Sequence, residues 1–108
     1  MNRTSKYIFL IKLELPIKID CGDYFICPRI PFAVDVFYHI QYKCLSINIS
    51  HLNIIGLSDS LESLLQEIEY DIRMLWRIYV REEREQTSDA KKLSNKLQQS
   101  FLEVEKEK

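Results

Sequence analysis

The longest periodic stretch of the chain runs from Ser58 to about Glu85, and it limits the fold more than any other feature. Leu61, Leu65, Ile68, Ile72, Leu75 and Tyr79 recur at steps of three and four, which places them on one helix face. Leu64 and Trp76 widen that face. No Gly or Pro interrupts the run, and Leu, Glu, Gln and Arg favour a helix. The start falls at Ser58-Asp59-Ser60: Asp59 with Glu62 forms a capping-box pattern, and Ser60 is a rival N-cap. A helix over residues 58–85 is predicted.

Tyr70, Met74 and Ile78 are spaced by four and fall away from the main stripe. An apolar arc that wide predicts burial on two sides. Either a second helix of this chain covers Tyr70, Met74 and Ile78, or they form a partner or dimer surface. On the remaining face Arg73, Arg77, Arg81 and Arg84 make a basic line that could fork onto phosphates. The competing reading is a solvated face. Glu69 stands four before Arg73 and Glu85 four after Arg81, while Glu82 and Glu83 dilute the positive charge.

Upstream, the pattern changes to a period of two. Residues 11–20 alternate apolar and polar, with Pro16 on the polar phase, which predicts an edge or bent strand. Residues 20–23 are turn chemistry, and Tyr24–Cys27 reads as a short strand ended by Pro28. Phe32, Val34, Val36, Tyr38, Ile40 and Tyr42 then share one strand face, with Asp35, Phe37 and His39 on the other. A turn near Lys43 and Cys44 leads into Leu45, Ile47 and Ile49, and Gly56 marks the exit towards the helix.

After the helix, residues 86–89 supply N-cap types, and Ala90, Leu93, Leu97, Phe101 and Val104 form a second helical stripe over residues 88–105. The chain either breaks at Thr87 or runs on as one kinked helix. The expectation is a single α+β domain. An antiparallel meander of about four strands (1–57) is followed by a long helix packed on one face and a second, C-terminal helix.

At 108 residues and a formal net charge of −1, no strong field advertises nucleic acid or anionic lipid. Residues 1–57 carry six Lys/Arg against four Asp/Glu, and residues 58–108 carry nine against twelve. Three cysteines, an odd count, point to free thiols and a cytoplasmic setting. The apolar run Tyr7–Ile11 is cut short by Lys12 and Glu14, too short for a secretory signal, and no stretch reaches membrane-span length.

Chemistry is weakly represented. Cys21, Cys27, His39, Cys44 and His51 lack the paired spacing of a metal site. Asp35 and His39 lie about 13 Å apart along one strand face, and Cys44 reaches His39 only if the turn folds back. Glu67 and Asp71 stand one turn apart with no apolar pocket evident to raise a pKa. No cofactor and no enzymatic activity are expected.

One stretch resembles a known family. Leu52-Asn53-Ile54-Ile55-Gly56-Leu57-Ser58-Asp59-Ser60-Leu61-Glu62-Ser63-Leu64-Leu65 is similar to the strand-to-helix passage of HicB-type antitoxins, with Asp59, Ser60, Leu61, Glu62 and Leu65 matching. Ser58 stands where that family usually has glycine and Leu64 where it has alanine, and no DNA-binding segment follows. The resemblance implies a protein that docks another protein without catalysis; the expectation for this chain is an interaction module that docks a partner or itself as a homodimer. Nucleic-acid binding through the arginine line is the alternative.

Overall fold

The computed structural model describes residues 7–15, 18–31, 33–82 and 86–107. The fold is α+β, and its strands form two antiparallel sheets. The larger sheet has the order β1 (Tyr7–Glu14), β4 (Ala33–His39), β5 (Cys44–Ile49), β6 (Ile54–Ser58). The smaller has the order β2 (Ile19–Asp20), β3 (Tyr24–Pro28), β7 (Phe101–Glu105).

The alternating run of residues 11–20 is therefore two strands in two sheets. β1 ends at Glu14 and β2 begins at Ile19; Pro16, Ile17 and Phe32 lie outside the described residues. Within β1 the register shifts between Phe9 and Ile11. That extra residue moves the odd positions from one face to the other. Phe9 pairs with Phe37 on the outer face, whereas Ile11 and Leu13 pair with the buried Val36 and Val34.

The turn after β4 folds back tightly. Lys43 takes a left-handed backbone, φ 52°, and its N–H donates to His39 O at 2.8 Å. A short 3-10 turn, Ser50–Leu52, and Asn53 with φ 57° separate β5 from β6, so residues 54–58 are a strand of their own. Gly22, φ +96°, turns β2 into β3, a conformation open to glycine at no steric cost.

Helix α1 (Leu61–Trp76) starts at Ser60, whose Oγ accepts from Ser63 N at 3.2 Å, so Ser60 and not Asp59 is the cap. Its seam is the i+4 row Leu64, Ile68, Ile72 and Trp76, all essentially buried. Leu61, placed on the expected stripe, is 38% exposed, while Leu75 and Tyr79 pack at the margin of the core. Helix and sheet come close at Gly56, where an added Cβ would meet Leu64 Cδ1 at 3.0 Å and Ile47 Cγ1 at 3.2 Å.

The helix stops short of Glu85. Residues Arg77–Arg81 form a π-turn, with Glu82 N donating to Arg77 O at 3.0 Å, and Glu82 is extended. Thr87 opens a separate helix α2 (Ser88–Ser100) by accepting from Ala90 N at 3.2 Å. The chain breaks at Thr87, as the low helix propensity there allows.

The second helix does not reach residue 105. Phe101–Glu105 pairs antiparallel with β3, from Tyr24↔Glu105 to Pro28↔Phe101. Helical spacing from Leu97 to Phe101 and strand alternation fit the same letters, and β3 offers a ladder that settles the matter. Phe101 is fully buried, whereas Val104 is 41% exposed on the other face of β7. Phe101→Ala should cost about 3–5 kcal/mol in urea unfolding, while Val104→Ala should cost under about 1 kcal/mol. Equal losses would place both residues on one buried helix stripe.

Candidate functional site

The surface that stands out is the outer face of the larger sheet, opposite α1. Helix α1 packs on β5 and β6 from the inner side. Pleating sends alternate residues outward: Tyr7, Phe9, Phe37 and His39 from β1 and β4, Ser46 and Asn48 from β5, Ile55 and Leu57 from β6. Ile55 is 68% and Leu57 55% exposed. Among the described residues no helix lies over this face.

The face is shaped as a shallow groove of about 490 Å³, lined by Tyr7, Phe37, His39, Ser46, Ile55 and Leu57 among others. One wall is an aromatic row. Tyr7 meets the His39 ring edge-on at 4.4 Å, and Phe9 meets Phe37 edge-on at 5.9 Å. The other wall is Ile55 and Leu57. The floor is polar, with His39 Nε2 and Ser46 Oγ hydrogen-bonded at 2.9 Å. Elsewhere on the same face Lys12 and Asp35 form an ion pair of 2.8 Å.

His39 and Cys44 are opposite each other across the β4–β5 hairpin, so the turn does fold back. The imidazole, however, is engaged with Ser46, and Asp35 is engaged with Lys12. Cys21 and Cys27 lie in the smaller sheet region, and burial pushes the Cys21 thiol up despite the nearby Arg73. Among the described residues no group of three or more His, Cys, Asp or Glu could hold a metal ion. Asp71 departs from the sequence expectation: partial burial raises its carboxyl, and Glu67 one turn away adds to the rise.

A second groove, about 330 Å³, runs between α1 and the β2–β3 hairpin. It brings together Tyr70, Arg73, Met74 and Arg77 with Asp20 and Tyr24. Tyr70 is 56% exposed, and Met74 and Ile78 are half-buried. The second side of the long helix thus faces a hairpin of the smaller sheet, while α2 packs against the π-turn.

The arginine line is broken up. Arg73 lies 3.9 Å from Glu69. Arg81 stacks over the Tyr24 ring at 4.1 Å and reaches Glu103 at 3.6 Å. The Tyr24 hydroxyl raises the Arg81 guanidinium further, while burial raises the phenol itself. Arg84 lies outside the described residues. Sequence reasoning singled out the helix faces and passed over the outer sheet face. The signal available was Phe37, large and apolar on the strand face that alternation shares with Asp35 and His39; the outward phase of Tyr7 and Phe9 follows only from the irregularity in β1, and that of Ile55 and Leu57 from the turn at residues 50–53.

No family model, curated protein or solved structure matches this chain. Among the described residues no helix is long and apolar enough to cross a membrane.

Asp20 ties the two ends of the smaller sheet. It accepts from Lys106 Nζ at 2.8 Å and from Gly22 N at 2.9 Å, and these bonds, Lys106 first, hold its carboxyl below the usual value. A depressed folded-state pKa stabilises the fold above the ordinary carboxylate range, and that contribution is lost as the pH falls through the folded value. The stability gap between wild type and Asp20→Asn should therefore be largest near neutral pH and close in acid. Urea midpoints measured across the acid limb test this, and a gap independent of pH would remove Asp20 from the account.

Proposed function

We propose that this chain is a small cytoplasmic protein-interaction module, acting by docking and without catalysis of its own. The carrying observation is the outer sheet face, an apolar groove between an aromatic wall and an aliphatic one with nothing from the described chain laid over it. Exposed apolar patches of this kind on small proteins mark interaction surfaces. Burying the exposed part of each large side chain is worth about 1 kcal/mol, so five of them supply the core of a modest interface. The polar floor of His39, Ser46 and Asn48 gives a partner hydrogen-bonding register in the middle of an apolar contact.

The resemblance of residues 52–65 to HicB-type antitoxins supports the same class of action, restraint of a partner by contact. The nucleic-acid alternative has less to draw on. The net charge is −1, and Arg73 and Arg81 already have acidic or aromatic neighbours. The helix surface at Tyr70, Met74 and Ile78 is a secondary contact in this reading, with Tyr70 the most accessible of the three.

The test is a pull-down from source-cell lysate with nuclease present, comparing wild type with Ile55→Asp/Leu57→Asp. Both side chains are already exposed, so the thermal midpoint should move by no more than a few degrees. A stoichiometric protein partner should be retained by wild type and lost by the variant. A partner captured equally by both would move docking off this face, and nucleic acid as the sole retained species would favour the arginines.

A further inference from the structure

The edge of the larger sheet makes a more specific demand than its face. β1 lies at the end of the strand order, and its run Tyr7-Ile8-Phe9-Leu10-Ile11 is uncharged and free of proline. All five residues are exposed, from 52% at Tyr7 to 41% at Ile11. They point to both sides of the sheet. Tyr7 and Phe9 lie on the outer face with His39 and Phe37, while Ile8 and Ile11 pair with Tyr38 and Val36 on the inner face. Helix α1, which covers the inner face, packs on β5 and β6 at the far side and leaves Ile8 and Ile11 half uncovered.

Edge strands of soluble proteins are usually blunted by charge, proline or shortness. Here the one lysine of the strand that follows the apolar run, Lys12, is drawn across to Asp35 on β4 at 2.8 Å and does not guard it. A partner that merely laid a segment on the outer face would leave Ile8 and Ile11 wet. What covers a strand on both faces at once is another strand beside it, carrying apolar side chains on both of its own faces. The sequence that meets this description is the same run in a second copy.

We propose that β1 pairs edge to edge and antiparallel with β1 of a second copy, across a two-fold axis perpendicular to the sheet. Two four-stranded sheets then become one continuous sheet. That symmetry keeps both inner faces on the same side, so Ile8 of each copy lies opposite Ile11 of the other, while on the outer side the two Phe9 side chains adjoin across the axis. An isologous pairing of this kind closes on itself. The register shift at Leu10 bends the strand and confines the pairing to a short run, which opposes open-ended stacking.

The area is sufficient. Half-exposed side chains of this size leave about 80–100 Å² each, so the five contribute about 400–500 Å² per copy. With the backbone edge added, the total reaches the about 1,000 Å² that a specific interface needs. The inference names the occupant of one edge of the docking region proposed above. It shares with that reading the view that the function resides in contact surfaces, and the experiment separates the two.

The measurement is sedimentation equilibrium on the full chain at 1–200 µM under reducing conditions, for wild type, Ile8→Lys/Ile11→Lys and Ile55→Asp/Leu57→Asp. Wild type should approach twice 12.9 kDa. The lysine variant should stay at the monomer mass with an unchanged far-UV spectrum, and the aspartate variant should still dimerise. A wild type that is monomeric throughout would overturn the edge pairing. It would leave the docking reading standing if the aspartate variant still loses its partner. A dimer broken by the aspartates and not by the lysines would overturn it in favour of face-to-face stacking, and a dimer broken by both would overturn pairing confined to the edge. Should the lysine variant fail to fold, amide exchange on wild type decides instead. Protection of β1 amides should rise with protein concentration while that of β6 stays constant, and no rise at β1 would end the proposal.

Discussion

A single row of side chains on α1 holds the two sheets together. Leu64 sits against Gly56 and Ile47 of the larger sheet, and three turns later the Trp76 indole N–H donates to Glu103 of the smaller one at 2.7 Å. Ile68 and Ile72 fill the space between, with no exposed surface. The i+4 spacing of the four residues gives a nearly straight seam about 18 Å long, enough for one helix to serve two sheets. Neither sheet could bury its inner face without that seam, and the larger sheet has no second helix on its other side among the described residues.

The smaller sheet depends on the end of the chain returning to it. β7 supplies Phe101 to the core and Glu103 to a polar cluster in which Trp76, Arg81 and Tyr24 also take part. A carboxylate with an indole donor and a guanidinium nearby is satisfied, and among the described residues no buried side-chain polar atom lacks a partner. The same cluster gives the Arg81 guanidinium, on the protein surface, an aromatic ring and a carboxylate as neighbours. Structural use of a basic residue competes with its functional reading, and at Arg81 the structural partners Tyr24 and Glu103 arrive from elements distant in sequence.

The outer sheet face and β1 carry the opposite signature. They hold large apolar side chains where pleating exposes them, beside a hydrogen-bonded His39–Ser46 pair that would orient a partner. Among the described residues only one face of the principal sheet is buried, which leaves more apolar surface exposed than folding alone requires. That excess is the physical basis for reading the protein as one that acts by contact.

The sequence by itself determined the α+β class, the long amphipathic helix and the alternation of β4 and β5; at Thr87 it offered a break or a kinked continuation, and the structure decided for the break. The first three follow from periodicity or capping chemistry within a window of about a dozen residues. Tertiary structure alone decided the rest. The alternating letters of 11–20 do not reveal that the chain changes sheets, because alternation specifies a strand and says nothing of its neighbour. Phe101 and Val104 fit a helix as well as a strand until β3 is placed beside them. The phase of β1 switches at an irregularity that exists only in its pairing with β4. That Arg81 meets Tyr24 and Glu103 depends on contacts with residues far away in sequence, where local patterns carry no information.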